Sequence, residues 1–152
     1  MNVEPLVAVY GPAAASGLGS AVFTAQGIAA DTLEPATLSR YQEFVGGSWD
    51  ARAEAWRSGF GEIYRRAGGD ARGICAELHA LQPPALRGVV QAMVDDMDDP
   101  GVARAALATV FDDGAVSDLR LYALGDGEAM AGVAVAALDA SRRELVAWIS
   151  HD

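Results

Sequence analysis

The stretch LYALGDGEAMAGVAVA, Leu121–Ala136, sets two carboxylates and three glycines between two apolar runs. Asp126-Gly127 is the dipeptide that a two-residue type I′ turn selects, because both central positions of that turn need positive φ. The flanking runs have strand length and composition, so Val116–Leu124 and Met130–Leu138 are predicted to pair as a hairpin. A two-residue turn sets Leu121 opposite Gly132 and Leu119 opposite Ala134. The returning run AGVAVAAL is apolar at odd and even positions alike, which is the pattern of a central strand covered on both faces. Its small side chains admit a closely packed helix. Glu144–Ile149 then completes an antiparallel meander.

Upstream of this ribbon, residues 35–111 read as helix. Pro35 suits a first turn and Gly46-Gly47 ends that helix after Phe44. Ser48 is a good N-cap for the longest helix, about Trp49 to Ala67, with Gly68 at its C-terminal cap. Trp49, Ala53, Trp56, Phe60, Ile63 and Ala67 recur three or four apart and form its core stripe, with Trp49 partly exposed at the first turn. Asp70 caps a helix over Ala71–Leu81, Pro84 begins another, and Asp99-Pro100 begins the last. Near the start, PLVAVY (Pro5–Tyr10) alternates and reads as a strand, and Ala21–Thr24 as a second. The glycines from Gly11 to Gly19 match neither dinucleotide nor phosphate-loop spacing and serve as a connection. The expected fold class is α+β: about five helices packed on a small antiparallel sheet with a C-terminal β-meander. Residues 1–152 form a single domain, with the N-terminal strand beside the meander.

Composition narrows the function classes. Eleven basic residues face 21 acidic ones, a net charge of −10. Such a surface is repelled by nucleic acid and anionic membranes, so neither is an expected partner; a basic protein suits it better. Every basic residue is arginine, which excludes Schiff-base and pyridoxal-phosphate chemistry and any lysine-dependent phosphate loop. Arginine without lysine, beside abundant alanine, glycine and valine, points to a bacterial coding bias. Cys75 is the only cysteine, so no disulfide forms within the chain, as suits a reducing cytoplasm. No basic residue precedes Arg40, and no apolar run is long enough to span a membrane.

The string VDDMDDP, Val94–Pro100, is the sharpest motif. Asp95, Asp96 and Asp99 fit DDxxD, and Asp96, Asp98 and Asp99 fit DxDD. Both patterns resemble the aspartate-rich motifs of isoprenoid synthases and terpene cyclases, a resemblance covering about six residues. It implies carboxylates that hold magnesium or protonate an olefin, and Asp95, Asp96 and Asp99 are therefore the weak metal candidates. A helix junction explains the string as well, with Asp99 capping before Pro100 and the rest in water.

Other pairings carry less. Cys75 and His79 share a helix face four residues apart, where an imidazole can lower a thiol pKa, although Ile74 and Leu78 mark that face as core. His151 is expected to be exposed and mobile. Ser16 and Ser48 lie in no nucleophile elbow, and one cysteine with two distant histidines makes no zinc pattern. Asp126 and Glu128, with Tyr122, are the candidate binding residues of a pocket between helices and sheet. A catalytic carboxylate pair there needs an apolar environment that raises one pKa. The expected role is non-enzymatic: a cytoplasmic inhibitor, immunity or accessory protein, without cofactor, that binds another macromolecule through its acidic surface. The alternative is a small-molecule binder or enzyme at Asp126 and Glu128.

Overall fold

The computed structural model describes residues 1–67 and 73–152. Five antiparallel strands form one sheet: β1 Gly19–Gln26, β2 Gly61–Arg65, β3 Asp118–Gly125, β4 Ala131–Asp139 and β5 Glu144–His151, in the spatial order β1-β5-β4-β3-β2. Six helices among the described residues cover it: α1 Glu4–Tyr10, α2 Leu33–Val45, α3 Ala53–Gly59, α4 Ile74–His79, α5 Pro84–Val90 and α6 Pro100–Phe111. This is the expected α+β class with its C-terminal meander. No helix among the described residues is long and apolar enough to cross a membrane.

β4 occupies the middle of the sheet, and every residue from Gly132 to Asp139 is buried. Its period-two alternation sends Val133, Val135 and Ala137 to one core and Ala134, Ala136 and Leu138 to the other. The first core gathers Leu6 and Tyr10 of α1, Ile74 and Leu78 of α4, Leu86 and Val90 of α5, and Leu107 and Phe111 of α6 around Trp148. The second is smaller and aromatic: Tyr41 and Phe44 of α2, with Trp49 and Trp56, lie over Tyr122 and Ile149. Trp49 is 2% exposed, so burial extends to the residue expected to be partly open.

Three local expectations are corrected. PLVAVY is part of helix α1, not a strand. Pro5 sits in its first turn beside Glu4, where a fixed φ and a negative charge both favour helix, and Leu6 and Tyr10, four apart, are the buried pair. The Tyr10 hydroxyl donates to the Met93 carbonyl at 2.7 Å and its ring lies 5.0 Å from that of Trp148. It is the later strand candidate, around Ala21–Thr24, that joins the meander, pairing with β5 along its whole length.

The helix expected from Trp49 to Ala67 is divided. A short 3-10 turn, Asp50–Arg52, leads into α3, which ends at Gly59, a position where a Cβ would overlap the Gly125 carbonyl oxygen. The chain then extends through Phe60 (φ −90°, ψ 121°) into β2, which pairs with β3 and carries a bulge at Ile63. Phe60 stacks on Tyr122 at 4.7 Å from this extended position, while Ile63 is 38% exposed. The expected Gly68 and Asp70 caps, and the residue Ala71, lie outside the described residues.

The β3–β4 connection is also longer than Asp-Gly requires. Residues Asp126–Met130 form the loop, and Leu121 pairs with Val135 and Leu119 with Ala137, three residues beyond the two-residue register. An odd slip exchanges the two faces of β4 relative to β3. Its cause is the Asp126 carboxylate, which accepts from the backbone N–H of Glu128 (2.9 Å) and of Met130 (3.1 Å) and so closes a wider turn. Positive φ falls on Gly125 and Gly127.

One buried polar knot ties the flanks together. Glu77 of α4, 1% exposed, accepts from the Tyr64 hydroxyl of β2 and from Arg66, whose Nη1 also donates to the Phe111 carbonyl at the end of α6. Asp112 accepts from both Arg66 and the Ile74 backbone N–H.

Candidate functional site

α1 and the beginning of α6 meet along a groove of about 340 Å³. Its floor is Val9, Met97 and Val102, and its rim is Asp96, Asp98 and Asp99. Local chemistry explains this loop. After α5 the chain makes a π turn, Gln91–Asp95, closed by the Asp96 N–H donating to the Gln91 carbonyl at 2.8 Å. The Gln91 side-chain amide donates to the Asp96 carboxylate at 2.7 Å. Asp99 caps α6 by accepting from the Val102 N–H at 3.2 Å, and Pro100 follows at the first turn. With both ends of the loop fixed, Met97 turns toward the core and the carboxylates stay in water. Val102 is 53% exposed, whereas Val9 and Met97 are half-buried against the core. No basic side chain lines the groove among the described residues.

The aspartate-rich string is thus divided between two environments, and the weak metal candidates Asp95, Asp96 and Asp99 do not face one another as a set. Asp95 turns away from Asp96 and Asp99 toward His79 Nε2 (2.9 Å) and Arg104 (3.5 Å). Among the described residues no group of three or more His, Cys, Asp and Glu gathers to hold a metal ion.

His79 and Cys75 share a helix face but do not form a thiolate–imidazole pair. His79 Nδ1 lies 2.7 Å from the Cys75 carbonyl oxygen and Nε2 lies against Asp95, so both ring nitrogens meet acceptors. Asp95, and then that carbonyl, raise the imidazole pKa and favour the doubly protonated ring, which has no lone pair left for a thiol. Burial pushes the Cys75 thiol up, with the Asp112 charge adding to it, so the thiolate is disfavoured.

Of the candidate binding residues, the structure brings Asp126 and Glu128 together and leaves Tyr122 elsewhere. Arg52 spans the two carboxylates, 2.6 Å from Asp126 and 3.1 Å from Glu128. The Glu128 and Met130 backbone N–H groups hold the Asp126 carboxyl below its ordinary range, against burial and with help from Arg52. This is the reverse of the raised pKa that a general acid needs. Tyr122 is stacked on Phe60 in the core, and its hydroxyl has no hydrogen-bond partner of good geometry. Burial pushes its pKa up to about 12, although the neighbouring Arg120 opposes the shift.

His151, expected in solvent, is 1% exposed. Its ring stacks 5.6 Å from Trp56 and stands edge-on to Tyr41 and Phe44. Burial lowers its pKa, so the neutral ring accepts the Tyr41 hydroxyl at Nε2 (2.7 Å) and donates from Nδ1 to the Gly17 carbonyl (3.0 Å). The Gly125 N–H donates to the same Tyr41 oxygen at 3.0 Å. The sequence does carry a signal for this placement: the alternation Leu145, Ala147, Ile149 continues in register to His151. Val9 and Val102 carry no comparable signal, because the groove exists only once α1 is a helix.

Compared with known protein families, curated proteins and solved structures, the chain matches none.

Proposed function

We propose that this protein acts by binding another protein, a cationic segment of which lies in the groove between α1 and α6. The observation that carries the reading is the apolar floor of Val9, Met97 and Val102 ringed by the carboxylates of Asp96, Asp98 and Asp99. An apolar patch with a charged rim is the general anatomy of a protein-binding surface. Here the rim has one sign, in a chain of net charge −10. A partner with arginine or lysine flanking apolar anchors complements both features, whereas nucleic acid is repelled. A non-catalytic role is supported by how the reactive side chains are used: His79, His151 and Asp126 are each committed to intramolecular hydrogen bonds, and the Cys75 thiol is held protonated. The cytoplasm is the compartment that suits a lone free cysteine.

The test uses two synthetic amphipathic peptides with the same apolar residues, one flanked by arginine and one by glutamate. Chemical-shift mapping should place the arginine peptide on Val9, Met97 and Val102. Its association should slow as ionic strength rises, and Asp98→Asn should weaken it severalfold. Shifts confined to another surface, or equal binding of the glutamate peptide, would overturn the reading.

A further inference from the structure

On the far side of the π turn lies a second cavity, and we propose that it binds a small organic carboxylate with an apolar body. The cavity, of about 410 Å³, lies between α4 and α5 and is within the size range of small-molecule sites. Leu78, Pro84 and Val90 line it, and of these Pro84 is the exposed one. Arg87, on its wall, makes no hydrogen bond or ion pair among the described residues, so its guanidinium is available. A guanidinium fork matches the two oxygens of a carboxylate, which makes this the natural class of ligand.

Charge in and beside the cavity selects the same class. Asp95, also on the wall, already faces His79 and Arg104. Arg87 is therefore the cation of the lining that is left without a counter-charge among the described residues. A monoanion satisfies Arg87; a phosphate dianion would bring its second charge against Asp95.

Gly88 also lines the cavity. It lies inside α5, where glycine costs about 1 kcal/mol relative to alanine. A Cβ added there would meet nothing within 4 Å. A larger side chain therefore has room at this lining position, which makes it a place to probe the wall.

Hexanoate is the probe, with hexylammonium as the charge-reversed control and hexyl phosphate as the dianion. Binding is read from amide shifts across residues 78–91 and from the His79 ring resonances. Hexanoate should bind in the millimolar range. Arg87→Gln should weaken it by about tenfold, the loss of one charge-assisted pair, and Gly88→Leu should abolish it by filling the wall. Arg87 is exposed and Gly88 has open space, so both variants should keep the wild-type amide spectrum away from the cavity. Absence of shifts at these residues, undiminished binding in both variants, or a preference for hexylammonium or hexyl phosphate would overturn the proposal. Because the cavity is distinct from the α1–α6 groove, its failure would leave the peptide-binding result untouched.

Discussion

The Tyr41 hydroxyl of α2 stands 2.7 Å from Nε2 of His151, the last residue of β5. The same oxygen accepts the Gly125 N–H at the end of β3, so one phenol fastens a helix to two strands. Tyr41→Phe leaves an imidazole nitrogen and a backbone N–H buried and unpaired. Each such group costs about 1–3 kcal/mol, so a loss of roughly 2 kcal/mol or more is expected in urea denaturation. A loss below about 0.5 kcal/mol would mean that water replaces the hydroxyl.

The two histidines predict opposite pH dependences. The lowered pKa of buried His151 means that the unfolded chain binds more protons than the native one below 6.5, so its contribution is full above 6.5 and is lost as pH falls from there toward the native value. The raised pKa of His79 means the reverse: its contribution is full below 6.5 and is lost as pH rises through the native value. Stability should therefore form a dome around 6.5, with the groups facing His151, Tyr41 and Asp126, titrating outside that window. His79→Gln should flatten only the alkaline side when denaturation is followed across the range. Stability that rises on acidification below 6.5 would contradict the buried neutral ring.

Two helical glycines should respond in opposite directions to alanine. At Gly59 the added methyl overlaps the Gly125 carbonyl oxygen, which is backbone and cannot rotate away, so a loss of about 1–3 kcal/mol is expected. At Gly88 the space is open and the backbone helical, so the gain should be about 0.5–1 kcal/mol. Thermal melts of the two variants give the comparison directly.

Glu77→Ala removes the acceptor shared by Arg66 and Tyr64 and leaves a guanidinium, 16% exposed, without its main counter-charge. Breaking a largely buried pair on one side costs about 3–5 kcal/mol, and the remaining Asp112 contact places this case at the lower end. Replacing Glu77 and Arg66 together by apolar residues should recover part of the loss.

Asp126→Asn keeps an acceptor for the Glu128 and Met130 N–H groups and loses only the charge facing Arg52, whereas Asp126→Ala loses both. The alanine variant should melt lower than the asparagine variant, with the added disorder confined to residues 126–130 in amide exchange. Equal melting points would show that the ion pair, not the Asx turn, holds the loop.

Much of this architecture is legible in single residues. The unbroken apolar run of β4 announces a strand with a core on each face, Gly46 ends α2 where expected, and Asp99-Pro100 caps α6. The misread segments share a physical cause: a second pattern or a distant contact decides them. Pro5–Tyr10 satisfies a strand period and a helix period at once, and Trp148 in the sheet decides between them through Tyr10. The stripe from Trp49 to Ala67 has perfect helical spacing, but Gly59 is needed against Gly125, 66 residues later in the chain, and no local window contains that requirement. The acidic groove was half visible: its carboxylates stand out in the sequence, whereas its floor depends on α1 reaching α6.

The strand order has a consequence for how the molecule assembles on the ribosome. β5 is the latest strand in sequence yet lies inside the sheet, between β4 and β1. A nascent chain that has emerged only as far as β4 therefore holds β1, with Phe23 and the aromatic side chains of α2, without the ribbon that seats them. Translation must pass Glu144 before these apolar surfaces close, which makes nascent chains short of that point the natural clients of a chaperone.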